Sequence, residues 1–159
     1  MSVSDKYHDR VRALSPAKAL ALGAYGEAVA SYRYRTLAEK TPTPSHKPIF
    51  EEMAEEEHGH HRVLAEILSR QYPDSDFVLT PEDKELVIVG PRMFEVTDHA
   101  SADHALDLVH RSECLTGRFY EAFHDVTAVS ILKPLLKEMA AECFEHAERI
   151  KGLRAAKQS

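Results

Sequence analysis

The stretch Phe50-Glu51-Glu52-Met53-Ala54-Glu55-Glu56-Glu57-His58-Gly59-His60-His61-Arg62-Val63-Leu64 decides how this chain folds. Its apolar residues Phe50, Met53 and Leu64, with Ile67 beyond, fall on one helical stripe. Glu57 and His60 lie on the same stripe. A charged group on the buried face of a helix is costly unless it is paired or coordinates a metal. Glu57 and His60 are three residues apart, so they point the same way.

The pattern returns 86 residues later. Glu27, Glu57 and His60 recur as Glu113, Cys143 and His146, and the same offset carries Leu20 to Leu106, Tyr34 to Tyr120, Phe50 to Leu136, Met53 to Met139, Leu64 to Ile150 and Ile67 to Leu153. One offset therefore aligns two helical hairpins. It also sets polar groups into the apolar seams of all four helices at matching heights, which reads as one shared metal site.

The flanking sequence delimits the helices. Ser15-Pro16 supplies an N-cap followed by proline at the first helical position, and a helix is expected over 16–40, with Leu20, Gly23, Glu27, Ala30, Tyr34 and Leu37 along its seam. Thr41-Pro42-Thr43-Pro44 ends it, and the second helix is expected over 45–71. A crossover follows over 72–100. Within it Thr80-Pro81-Glu82-Asp83 starts a short helix, and Leu86-Val87-Ile88-Val89, which has no second strand to pair with, is read as an extended or short helical segment packed on the bundle. The third helix is expected over 101–125 and the fourth over 131–156, with residues 1–14 as a partly helical lead-in. The expected architecture is all-α: a single domain over 1–159, built as a four-helix bundle of two antiparallel hairpins with a long crossover.

Composition narrows the function classes. Hydrophobic residues make up 43% and charged residues 29%, which suits a globular chain with a substantial core. The formal net charge of -6, without a basic block, argues against a nucleic-acid partner. The two cysteines, Cys114 and Cys143, form no CxxC pair, so a disulfide framework and a zinc ribbon are not expected. The start MSVSDKYHDR lacks the apolar core of a signal peptide, and no stretch approaches membrane-spanning length, so a soluble, cytoplasmic protein is expected.

Carboxylates with imidazole suit iron and manganese, and shared carboxylates can hold two such ions close together. The run Met53-Ala54-Glu55-Glu56-Glu57-His58-Gly59-His60 resembles the second-helix motif of the rubrerythrin-like branch of the ferritin-like superfamily. Glu113 followed by Phe119-Tyr120, and Met139-Ala140-Ala141-Glu142 followed by Glu145-His146-Ala147-Glu148-Arg149, are similar to the third and fourth helices of that branch. The resemblance covers roughly residues 16–155. It implies a ferritin-like bundle around a carboxylate-bridged di-iron or iron/manganese centre. It carries ligand roles to Glu27, Glu57, His60, Glu113 and His146.

The chain departs from that pattern at Cys143, where a glutamate is expected, and at Thr116, where rubrerythrins have a further glutamate. It also contains no four-cysteine rubredoxin module. Glu142, one residue off the seam, is a replacement ligand if it swings inward, so two ions are expected with the second position weaker. Cys143 has three readings: a space-filling thiol, a thiolate ligand, or a thiol that reacts with peroxide. Tyr34 and Tyr120 are core tyrosines, partners of the glutamates or a radical relay, and His110 is a surface or boundary residue, a partner of the site or a replacement ligand. His58, His61, Glu55 and Glu56 are assigned to the solvated face.

The expected function is redox chemistry toward O2 or peroxide, as an oxidase or peroxidase supplied by an external electron donor, in a homodimer or larger homo-oligomer. The alternatives are ferroxidation or iron storage, hydroxylation of the demethoxyubiquinone hydroxylase type, and a structural bundle whose site has decayed.

Overall fold

The computed structural model describes residues 3–158. Its helices are α1 (Val3–Arg12), α2 (Pro16–Lys40), α3 (Lys47–Gln71), α4 (Pro81–Lys84), α5 (His99–Val126) and α6 (Lys133–Gln158). The described residues contain no strand. Helices α2 and α3 pack along one another as one hairpin, and α5 and α6 as the other.

Local sequence explains each boundary. Ser15 caps α2 by accepting from the Lys18 N–H, with Pro16 at the first helical position. The cap of α5 is Asp98 rather than Ser101. Asp98 Oδ1 accepts from the Ser101 N–H at 2.8 Å and Ser101 Oγ accepts from the Asp98 N–H at 3.0 Å, a reciprocal box that starts the helix at His99. Single 3-10 turns, Pro44–His46 and Ser130–Leu132, lead into α3 and α6. They push each helix start about two residues past its sequence-based position. The 86-residue offset relates these turns, as it does Pro48 and Pro134 just inside the two helices.

The core has two parts, one on either side of a polar layer. One contains Leu20, Leu64, Tyr120, Leu136 and Met139, and the other Tyr34, Phe50, Met53, Leu106 and Ile150. The 86-residue offset exchanges the two: Leu20 maps to Leu106, Tyr34 to Tyr120, Phe50 to Leu136, and Leu64 to Ile150. A twofold operation across the bundle axis does this, so the sequence repeat is also a repeat in space. Each fully buried Leu or Phe contributes about 1.5–3 kcal/mol, and these two clusters hold the polar layer between them.

The crossover is an irregular strap on the bundle. Thr80 and Asp83 cap α4 reciprocally. Backbone turns then carry the chain through Leu86 and Val87, both buried, to Ile88. Helix α1 closes the far side of this region. It packs on α5, buries Val11, and donates from the Tyr7 hydroxyl to Leu86 O at 2.9 Å.

Two glycines separate helix propensity from packing. A Cβ at Gly59 would meet nothing within 4 Å, whereas one at Gly23 would lie 3.2 Å from Leu64 Cδ1 and 3.3 Å from the Tyr120 hydroxyl. Gly59→Ala should therefore raise stability by about 0.5–1 kcal/mol, the usual helix-interior gain. Gly23→Ala should lose that gain to displacement of Tyr120. Urea unfolding of both variants measures the difference.

Candidate metal centre

Glu27 is supplied by α2, Glu57 and His60 by α3, Glu113 by α5 and His146 by α6. All four long helices meet in the polar layer. Glu27 and Glu57 are each 2% exposed, Glu113 4% and His146 3%. The side chains form two groups that share Glu57. Glu27, Glu57 and His60 make one, and Glu57, Glu113 and His146 the other, with the ligand atoms of each group within 4.8 Å of one another. His60 Nδ1 lies 3.6 Å from Glu27 and 3.7 Å from Glu57. His146 Nδ1 lies 2.5 Å from Glu57 Oε1 and 3.5 Å from Glu113 Oε1.

The outer nitrogen of each histidine is held from the opposite hairpin. His60 Nε2 meets Glu142 Oε2 at 2.5 Å, and His146 Nε2 meets Glu56 Oε2 at 2.6 Å. Glu56 and Glu142 are themselves related by the 86-residue offset. Each carboxylate fixes the ring so that Nδ1 faces the polar layer, which sets the direction and basicity of an imidazole ligand. Arg149, whose guanidinium lies 3.6 Å from Glu56, steadies one of these pairs.

The tyrosines cross in the same way. The Tyr34 hydroxyl on α2 donates to Glu113 on α5 at 2.7 Å, and the Tyr120 hydroxyl on α5 donates to Glu27 on α2 at 2.7 Å. Burial, reinforced by the neighbouring glutamates, raises both phenol pKa values well above the usual range. Both tyrosines are therefore neutral donors.

Burial and charge set the protonation of the layer. Burial alone would lower the pKa of His60, but Glu27 and Glu57 outweigh it and raise it from 6.5 to about 11. Burial likewise opposes protonation of His146, and Glu113 and Glu57 raise its pKa to about 11. Burial, then the charges of Glu27 and Glu113, push Glu57 well above the carboxylate range. Glu27 moves the other way. Burial would raise it, but hydrogen bonds from Glu57, His60 and Tyr120 hold it low. Without a metal, protons do the work of cations here.

The donor set fits a metal ion. His146 Nδ1 is buried and makes no hydrogen bond, although carboxylate oxygens surround it. An oxygen off the line of the ring N–H is badly placed to accept a hydrogen bond. It is well placed as a second ligand beside the nitrogen around a shared ion. Carboxylate oxygen with imidazole is the donor chemistry of iron and manganese.

The remaining sequence candidates fall outside the two groups. Cys143 is buried between the apolar cluster and the Glu113 carboxyl and belongs to neither group. Burial, then the charges of Glu113, Glu27 and Glu57, raise its thiol pKa well above the usual value, so it stays a neutral thiol. Glu142 is directed outward onto His60 rather than into the layer. His110 is half-buried and joins neither group. His58 and His61 lie at the boundary, with His61 Nδ1 2.9 Å from Ala24 O. Glu56, assigned above to the solvated face, is the partner of His146, and its 86-residue relation to Glu142 was the available signal.

A chamber of about 20 Å³ opens on the side of the layer away from the histidines. Glu27, Glu57 and Glu113 line it together with Arg33, Val87 and Thr116. The Thr116 hydroxyl, where a further glutamate is expected in rubrerythrins, lies 3.0 Å from Val87 O and 2.8 Å from Ser112 O, either of which can accept its proton.

A family model described as Rubrerythrin matches residues 18–101, and the chain belongs to this family. No curated protein and no solved structure matches it. Among the described residues, no helix is long and apolar enough to cross a membrane.

The raised histidine pKa values set the pH dependence of the metal-free protein. A histidine whose pKa rises on folding contributes full stability below 6.5 and loses it as the pH climbs toward 11. The melting temperature of the metal-free protein should therefore fall between about pH 7 and 10. Thermal melts followed by circular dichroism check this, and the double variant His60→Gln, His146→Gln should flatten the slope.

Proposed function

We propose that this protein holds two iron ions, or one iron and one manganese, and reduces hydrogen peroxide or O2 with electrons from an external donor. The observation that carries this reading is the pair of carboxylate–imidazole groups sharing Glu57. Glu27 and His60 would hold one ion and Glu113 and His146 the other, with Glu57 common to the two groups. Family membership supports iron as the metal.

A metal pair bound there would supply the two electrons that, with two protons, convert peroxide to two waters, and the external donor would return those electrons to the metals. The chain's own residues prepare the site. Tyr34 and Tyr120 hold the outer carboxylates in place by hydrogen bonds from the opposite hairpin. Glu56 and Glu142 keep the imidazoles turned inward. The chamber beside the three carboxylates leaves the face opposite the histidines for the oxidant.

Cys143 stands where the repeat calls for the counterpart of Glu57. One carboxylate therefore serves both ions where a symmetric site would have two. Two ions held this way would be inequivalent, one position binding more weakly than the other.

Ferrous protein mixed with peroxide in a stopped-flow instrument should oxidise at least about tenfold faster than free ferrous ion in the same buffer, a difference of about 1.4 kcal/mol in barrier. Glu57→Ala should bind at least one ion fewer, and Cys143→Glu should tighten the weaker position, both read by metal analysis after dialysis. Oxidation no faster than free iron would leave metal binding without turnover. Rapid oxidation that deposits a mineral in a large assembly would make storage the better account.

A further inference from the structure

The crossover strap is built for a task that the ligand set alone does not require. After α4 it runs without regular structure, yet Val87 is fully buried beside the three carboxylates. Val87 lies over Gly26 of α2, where a Cβ would come 3.3 Å from Val87 Cβ, so helix and strap are in tight contact. The chamber beneath has about 20 Å³, room for roughly one small molecule of water or peroxide size.

What presses the strap down is a set of polar groups aimed at its backbone. The Thr116 hydroxyl reaches Val87 O, and Ser112 Oγ accepts from the Val89 N–H at 3.0 Å. Arg33 contributes most. Its Nη2 donates to Val89 O at 2.9 Å and Pro91 O at 2.5 Å, its Nε to Arg92 O at 3.5 Å, and its Nη1 to Ser112 Oγ at 2.9 Å. The guanidinium also lies 5.5 Å from the centre of the Phe94 ring. Arg33 is 2% exposed and makes no ion pair among the described residues. Burying a guanidinium without a carboxylate partner is costly. Here the donors converge on one short segment, the segment that roofs the chamber.

We propose that Val87 is the specificity-determining residue of this centre: clasped in place through Arg33, it limits the chamber to an oxidant about the size of hydrogen peroxide and excludes bulkier organic hydroperoxides. The proposal rests on the peroxide-reducing reading only for its consequence in turnover. The limit on chamber size stands on the protein alone. Arg33 acts through the strap and is a positioning residue.

The first test needs neither metal nor turnover. Xenon NMR of the metal-free protein should show no saturable site in the parent and a saturable site in Val87→Ala. The second test compares the ferrous parent and the variant against hydrogen peroxide and tert-butyl hydroperoxide. The rate ratio of the bulky to the small oxidant should rise by about tenfold or more in Val87→Ala. If that variant does not fold, Ile88→Ala on the same strap should move both readouts in the same direction.

Arg33→Met should shift the ratio likewise and speed amide exchange over residues 86–94. Arg33→Lys, which keeps the charge and some donors, should restore part of both. Xenon bound equally by parent and Val87→Ala, or an unchanged ratio in a variant that admits xenon, overturns the proposal. A loss of stability in Arg33→Met without a change in ratio removes Arg33 from it. A parent that reacts with neither oxidant overturns the redox reading instead, and xenon then decides the chamber by itself.

Discussion

Three carboxyl groups enclosed by apolar helices repel one another and have lost their water, and everything else in this bundle is arranged around that fact. Two imidazoles face them from inside the layer, and two phenols donate to the outer pair. Removing one partner would leave a buried acid uncompensated, which typically costs several kcal/mol. The arrangement is therefore tense without metal, with protons held on groups that would otherwise release them. A divalent ion at either group would relieve the repulsion and displace those protons, which would couple metal affinity to pH through the same residues.

The compensation is crossed between hairpins. Tyr34 of the first serves Glu113 of the second, and Tyr120 of the second serves Glu27 of the first. His60 is held by Glu142, and His146 by Glu56. The helix pair α3 and α6 is joined across its faces by the two histidine–glutamate contacts as well as by both apolar clusters. The polar layer therefore acts as a tie between the hairpins. The apolar clusters above and below it set the height at which the ties form.

Much of this was legible in the sequence because the offset is constant over both apolar and polar residues. A helical period places Glu57 and His60 on one face, and a repeat of that face places Glu113 and His146 opposite. Glu142 and Glu56 show what periodicity misses. A residue one step off the seam lies at the rim, where its reach depends on the rotamer and on the facing helix, and both glutamates extend across to a histidine. The role of Arg33 was hidden for a different reason. Its partners are backbone carbonyls of an irregular strap, and no side-chain pattern marks those. Helix starts shifted by two residues where a 3-10 turn or a reciprocal cap intervened, since propensity does not distinguish such turns from the first turn of an α-helix.

The twofold relation between the hairpins has a consequence for how such a centre can vary. A dimer of identical hairpins would build the same layer, but any change to one glutamate would appear twice, once on each side. Joining the two copies in one chain removes that restriction. Position 143 holds a thiol while position 57 keeps its carboxylate, and the packing on either side still follows the shared pattern. Covalent linkage of the halves is thus what permits a lopsided centre in a symmetric frame.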